Sequence, residues 1–226
     1  IILDNFVSGK RSNLEHLKKK DVKIINIDVS KNKNLNKYLK GADYIFHLAA
    51  FAQIMPSIKN PKKYFKNNVI GTLKVVEAVK KVKIKKLIYA ASSSCYGTPK
   101  KLPTSEKDRI DLKNPYAVTK FIGEEIIMKY AEMFKMPNIS FRFFNVYGPR
   151  LNASGQYGAV ISNFLSQTKN KKPLKDIIMD NCLDLRSFKF INEPLILIFL
   201  IPYVINKKLK YLYNVIKIFS LIFSLR

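Results

Sequence analysis

KLIYAASSSCYG, residues 86–97, is the stretch on which the reading of the fold turns. Five apolar residues after a lysine, with no polar alternation, describe a strand buried on both faces. The strand then runs straight into Ser92, Ser93 and Ser94. A buried parallel strand needs helical crossovers on either side, and the flanking sequence supplies them. Before it lies NPKKYFKNNVIGTLKVVEAVKKV (60–82), and after it NPYAVTKFIGEEIIMKYAEMF (114–134). Both open with Asn at the N-cap and Pro at the first helical position. Further out, IIL (1–3), KIINI (23–27), YIFHLA (44–49) and ISFRFF (139–144) are short β-branched or aromatic runs that read as strands. YGAVISNFLSQTK (157–169) reads as another helix. The alternation predicts an α/β fold: a Rossmann-type parallel sheet with helices on both faces.

Ligands of open α/β sheets bind beyond the carboxyl ends of the strands. The serines after 86–91 stand there, although serine is equally at home in an ordinary turn. The second helix begins with Tyr116 and carries Lys120 one turn on, on the same face. An adjacent ammonium favours the phenolate of a tyrosine whose reference pKa is near 10. Such a tyrosine serves as a general base near neutral pH. Spacing alone does not select it: Tyr96/Lys100, Tyr203/Lys207 and Tyr213/Lys217 have the same interval. Only Tyr116/Lys120 opens a capped helix. Gly97 and Pro99 break the first of the others, and the remaining two fall in the irregular tail.

The 226 residues carry a formal charge of +25 and are 47% hydrophobic, enough for a core and too apolar for wholesale disorder. Nearly all the basic residues are lysines, scattered along the chain, whereas base recognition leans on arginine. The charge follows the abundance of Lys, Asn and Ile and argues for no specific nucleic-acid partner. Non-specific attraction to polyanions is still expected. Cys95 and Cys182 form no disulfide framework or metal site and fit a reducing, cytoplasmic setting. Cys95 reads as a small buried residue. PLILIFLIPYVI (194–205) and IKIFSLIFSL (216–225) are strongly apolar, but Pro202 and the lysines at 207, 208 and 210 interrupt them. A membrane span needs about 20 continuous apolar residues, so a membrane role is not expected.

LDN (3–5), HLAA (47–50), NNVIGT (67–72), ASSSCYG (91–97), NPYAVTK (114–120) and RFFNVYGPR (142–150) occur in this order. Together they resemble the extended short-chain dehydrogenase/reductase family, the NAD-dependent epimerases and dehydratases, and among them the UDP-glucose and UDP-N-acetylglucosamine 4-epimerases. The resemblance covers roughly residues 1–174. It implies a bound NAD, a UDP-sugar substrate, and a homodimer for a complete chain. By resemblance, Ser92, Tyr116 and Lys120 are catalytic. Asp4, with Asn5, holds the adenosine ribose, where a carboxylate favours NAD over NADP. Lys10 and Arg11 nearby moderate that preference. Asp28 and Val29 meet the adenine edge, Ala49 and Ala50 line the cofactor's path, and Asn68 points toward the cofactor. Lys120 also bonds the nicotinamide ribose. Phe144 closes on the nicotinamide, while Ser92, Ser93, Asn145 and Arg186 face the substrate. His47 and Arg142 are expected to be structural. Related sugar dehydratases carry Asp-Glu where this chain has Ser93 and Ser94, which lack the acidity for water loss.

Two departures shape the expectation. The family's opening strand and Gly-x-x-Gly-x-x-Gly turn have no counterpart, and the chain starts at what would be the second strand. In the strand order 3-2-1-4-5-6, that leaves IIL and YIFHLA without their shared neighbour. At the other end, MDNCLDLRSF (179–188) stands where the family has a Gly-Asp-Gly turn. The chain therefore reads as truncated at both ends, with residues 1–174 a partial NAD-binding domain and 175–226 a divergent remnant of the substrate region. The competing class is a non-catalytic relic, or a basic module that binds polyanions or a partner.

Overall fold

The computed structural model describes residues 1–99, 101–144 and 146. The expected helix at 157–169, the boundary at 174, Asn145, Arg186 and the tail tyrosine pairs lie outside these residues.

All five expected strands form: β1 (Ile2–Asp4), β2 (Ile24–Asn26), β3 (Tyr44–His47), β4 (Lys86–Ser92) and β5 (Asn138–Phe143). Every pairing is parallel. Among the described residues they make two sheets, β1–β2 and β3–β4–β5. The division falls between IIL and YIFHLA, the two strands expected to lack a common neighbour. Position in the sheet explains the character of β4. It is central, and six of its seven residues are buried, so it has no polar face.

Helix α1 (Asn36–Leu39) is a single turn before β3. Between β3 and β4, an additional helix α2 (Ile54–Lys59) comes first, and the single helix expected over 60–82 is instead α3 (Pro61–Tyr64), a π-helical stretch (Phe65–Ile70) and α4 (Gly71–Val79). The Asn60 side chain accepts from the Lys63 N–H, as the capping pattern requires. Helix α5 (Pro115–Phe134) begins where Asn114 accepts from the Ala117 N–H at 2.9 Å. It ends at Lys135 in the left-handed region. Since β3, β4 and β5 lie side by side in chain order, right-handed crossovers place α4 and α5 on the same face.

There they enclose the core: Val75, Val76 and Val79 of α4, Leu87 and Tyr89 of β4, and Ile127 and Ala131 of α5. The two-stranded sheet joins the same core more lightly, through the partly buried Leu3, Ile27 and Val29. Burial of Leu87, at 0% exposure, stabilises by about 1.5–3 kcal/mol relative to an exposed leucine.

Candidate active site

The loops after β2 and β3 meet the π-helical stretch and the start of α4, and the π-helical stretch meets the start of α5. Beyond β2, Val29 and Ser30 lie against Gly71, where a Cβ would come within 3.6 Å of the Ser30 Cβ. Beyond β3, the Phe51 N–H donates to Asn68 Oδ1 (2.8 Å) and Asn68 Nδ2 returns a bond to the Phe51 carbonyl (3.0 Å). The same Nδ2 donates to Thr119 Oγ1 on α5 (3.0 Å), and Thr119 donates to the Tyr116 carbonyl. Asn68 is fully buried and both its amide hydrogens have protein acceptors. The sequence leads one to expect this side chain to point toward a cofactor; here it bonds the loop after β3 and α5. It locks the loop after β3 to the helix that carries Tyr116 and Lys120.

Two further residues hold this helix, and neither stands out in the sequence. Ser57, fully buried on α2, accepts from the Tyr116 N–H at 3.1 Å. It thereby satisfies one of the orphan donors in the first turn of α5. Tyr89 of β4 lies under the next turn. Its ring centroid is 4.4 Å from Lys120 Nζ, and its hydroxyl donates to the Lys120 carbonyl at 3.3 Å. Burial pushes the Tyr89 pKa far upward and keeps the phenol neutral.

Tyr89 also sets the level of the helix. From Tyr89 to Ser92 the strand climbs about 10 Å. Helix α5 runs antiparallel to β4, because it connects two parallel neighbours. The same length along it takes about six to seven residues. Counted back from Gly123, that reaches the first turn, where half-buried Tyr116 stands; counted back from Lys120, it reaches residues 113–114, ahead of the helix. Tyr116 stands in the first turn of α5 and Lys120 one turn on, 4% exposed.

Ser92 ends β4, nearly buried. Its Oγ accepts from the Ser94 N–H (3.2 Å) and from the Ser94 hydroxyl (2.9 Å). A hydroxyl has two acceptor positions and one proton. With both acceptors taken, what Ser92 offers a ligand is its proton. Ser94 thus orients Ser92, and half-buried Ser93 sits between them.

Tyr96, the competing tyrosine, follows in a turn of 3-10 helix, with its hydroxyl accepting from Arg142 Nη1 at 2.9 Å. Arg142 Nε reaches both oxygens of Glu124, at 3.1 and 3.0 Å, and Nη1 also donates to the Glu106 carbonyl. The expected structural role of Arg142 is met: it ties β5 to α5 and to the loop after Tyr96. Burial pushes the Cys95 thiol up to about 11, so it is the neutral residue expected. His47 is structural too. The Thr72 hydroxyl donates to the Asn68 carbonyl, so His47 Nε2 donates to Thr72 (2.8 Å).

The remaining expected positions lie at other strand ends. Asp4 closes β1, and its Oδ1 accepts from the Phe6 N–H at 2.6 Å, while Gly9 packs against the carboxylate. Asn5 accepts from the Val7 N–H. Asp28 Oδ1 takes both the N–H and the hydroxyl of Ser30, beside half-buried Val29. Ala49 is exposed and Ala50 half-buried just past β3, and Phe144, 41% exposed, follows β5. A carboxylate at β1, small residues after β3, and a hydroxyl donor, a phenol and a buried ammonium around β4 fit the two ribose-bearing ends of a dinucleotide. The described residues contain no glycine-rich turn for its pyrophosphate. No group of three or more His, Cys, Asp or Glu is placed to hold a metal among the described residues. None of their helices is long and apolar enough to cross a membrane.

The sequence profile of the NAD dependent epimerase/dehydratase family matches residues 1–199. A putative UDP-glucose 4-epimerase of Methanocaldococcus jannaschii is 32% identical over 197 residues, 85% of this chain and 62% of that protein. The UDP-N-acetylglucosamine 4-epimerase of Methanobrevibacter ruminantium, solved with UDP-N-acetylmuramic acid, superposes with a TM-score of 0.71 at 36% identity, covering 76% of this chain and 55% of that one. The UDP-glucuronic acid 4-epimerase of Bacillus cereus, solved with UDP-glucuronic acid and NAD, gives a TM-score of 0.64 at 30% identity, again over 76% and 55%. The chain thus spans less than two thirds of the length of each of these relatives.

Proposed function

The chain belongs to the NAD dependent epimerase/dehydratase family, and from that premise we propose that its site is built for 4-epimerisation of a UDP-hexose with NAD as resident cofactor. The observation that supports this reading is that Ser92 at the end of β4 and Lys120 on α5 are both buried, with α5 resting on β4 through Tyr89 and carrying Tyr116 in its first turn.

Bound NAD supplies a two-electron acceptor that takes hydride from C4 of the sugar and gives it back on the opposite face. The protein's residues handle the proton and the orientation. Tyr116, as phenolate, takes the C4 hydroxyl proton and returns it after the sugar has turned, so no net oxidation results. The Ser92 proton bonds the C4 oxygen as hydroxyl and as carbonyl. The Lys120 ammonium stabilises the Tyr116 phenolate and bonds the nicotinamide ribose. Asp4 takes the adenosine ribose hydroxyls, with Asn5 beside it. Asp28, Val29, Ala49, Ala50 and Phe144 line the cofactor's course. Ser93, Asn145 and Arg186 are assigned to the substrate. Serines at 93 and 94 supply no acid–base pair for dehydration, and Ser94 is already committed to Ser92.

Residues 1–174 form the cofactor part in this reading and 175–226 belong to the substrate part. The buried thiol of Cys95 fits the cytoplasm. Helices α2 and α5 leave Ile58, Met128 and Met133 exposed, which supports a homodimer through helices; a monomer mass in sedimentation would remove that element.

The test compares the chain with Tyr116→Phe. Turnover of a UDP-hexose should fall about 10²–10⁴-fold, the usual contribution of a positioned general base, with NAD affinity by titration calorimetry nearly unchanged. Heparin binding that vanishes with salt, without NAD affinity, would instead favour the polyanion-binding reading. Release of a 4-keto-6-deoxy sugar from dTDP-glucose would overturn the assignment drawn from Ser93 and Ser94.

A further inference from the structure

Lys120 is 4% exposed, and an ammonium that deep requires compensation for lost water. The Tyr89 ring, across the core, supplies part of it. Lys120 Nζ stands 4.4 Å from the centroid of the Tyr89 ring, inside the roughly 6 Å within which an aromatic face attracts a cation. The interaction is stronger where both partners are desolvated, and Tyr89 is 1% exposed.

The ring itself is held from every side. Its hydroxyl donates to the Lys120 carbonyl at 3.3 Å, so one residue of α5 meets Tyr89 twice, by backbone and by side chain. One turn along, Gly123 lies directly over that hydroxyl, and a Cβ there would collide with it. The His47 ring supports the tyrosine from β3, with centroids 5.4 Å apart. The titratable groups that face this seat are Tyr116 and Glu124 on α5, Tyr89 on β4 and His47 on β3.

We propose that Tyr89 is the positioning residue for Lys120: its ring seats the ammonium, while its hydroxyl and the bare backbone of Gly123 fix the distance of α5 from β4. Tyr89, 1% exposed, is assigned no contact with substrate or cofactor. It acts through Lys120, and its catalytic consequence rests on the role given to Lys120 above. Sequence spacing does not reveal it, because Tyr89 looks like any aromatic in a buried strand.

The experiment is nuclear magnetic resonance of the full chain with lysine carrying ¹³C at the ε position. A methylene held over an aromatic face resonates upfield of solvated lysines. Lys37, Lys63 and Lys80 also stand over aromatic rings, so the wild-type chain should show an upfield signal that Lys120→Arg alone removes, which assigns it. Tyr89→Phe keeps the ring and should keep the signal. Tyr89→Leu removes the ring; the signal should return to the ordinary position and its titration midpoint should fall by about one pH unit, because the charged form loses its seat. Tyr89→Met serves the same purpose if the leucine variant does not fold. Absence of an upfield signal assignable to Lys120 in the wild-type chain overturns the proposal. So does an unchanged position and midpoint in the ring-free variant, or a Tyr89→Phe variant that behaves like it. None of these readouts needs cofactor or turnover. If the chain shows the seated lysine but no NAD affinity, the epimerase reading fails and the seat stands. If NAD binds, removing the ring should weaken it several-fold and Tyr89→Phe should not; equal affinities would again overturn the proposal.

Discussion

The three-stranded and two-stranded sheets are built to different standards. β4 is buried along six of seven residues and is gripped by β3, β5 and α5. β1 and β2 are three residues each, with no residue fully buried in either strand. The parts assigned to proton transfer hang on the first sheet. The parts assigned to the adenosine end hang on the second. Proton transfer tolerates little displacement, since a general base must sit within hydrogen-bond reach of its proton. A ribose held by a carboxylate at the end of a short strand has more latitude. The contrast teaches that rigidity is concentrated where the chemistry needs it.

The largest effect should appear in core truncation. Leu87→Ala in β4 should destabilise by about 2–5 kcal/mol, because its surroundings are closed on all sides. Leu3→Ala in β1 should cost less than half of that. Urea unfolding of both variants checks it, and equal losses would erase the distinction between the sheets.

Gly123→Ala sharpens the comparison inside the rigid half. Alanine gains up to about 1 kcal/mol of helix propensity over glycine. Overpacking against the Tyr89 hydroxyl costs about 1–3 kcal/mol. The clash should win, and the double change Gly123→Ala with Tyr89→Phe should recover stability. A stabilising single change would mean that α5 does not rest on that hydroxyl.

In the two-stranded half, Asp4→Asn should leave the unfolding midpoint nearly unchanged. It should reduce the preference for NAD over NADP by about tenfold, the scale of one charge-assisted bond. Parallel titrations with the two cofactors would show it, and an unaltered ratio would remove Asp4 from the ribose.

The smallest effect concerns pH. Burial raises the Asp28 pKa, but the Ser30 hydroxyl and N–H and the Lys31 ammonium outweigh it, so the net value lies below 3.8. The resulting stabilisation is complete above the unfolded value and disappears as pH falls through the folded one. Asp28→Asn should therefore flatten the loss of stability slightly as pH falls below the ordinary carboxylate range, by less than ~1 kcal/mol for a pair this exposed. A variant with the same acid profile as the parent would show that the Ser30 bonds do not form.

All five strands and α5 were legible in the sequence because each signal is local: a β-branched run, an Asn-Pro cap, a tyrosine and lysine one helical turn apart. Even the division of the sheet followed from strand order. What escaped the reading depends on contacts distant along the chain. Ser57 meets Tyr116 across 59 residues, and Asn68 meets Thr119 across 51. Nothing about a serine or an asparagine in a helix announces such partners. The same holds for Asn68: a polar residue inside a predicted helix gives no sign that its acceptors lie within the protein. The π-helical stretch was equally hidden, since 60–82 keeps an ordinary helical pattern of side chains.

That stretch has a consequence best put in terms of insertions and deletions. A π turn holds more residues than an α turn, and extra residues of this kind arise as single insertions within a helix. Removing one residue from Phe65–Ile70 would leave a sequence with no defect as a helix in isolation. Each residue subtends about 100° of an α-helix, so everything on one side of the deletion would rotate by about that angle relative to the other. With Val69 or Ile70 removed, Asn68 could no longer meet Phe51 and Thr119 while Thr72 meets His47. A frame-preserving loss of one codon here would be far more damaging than most substitutions within the same six residues.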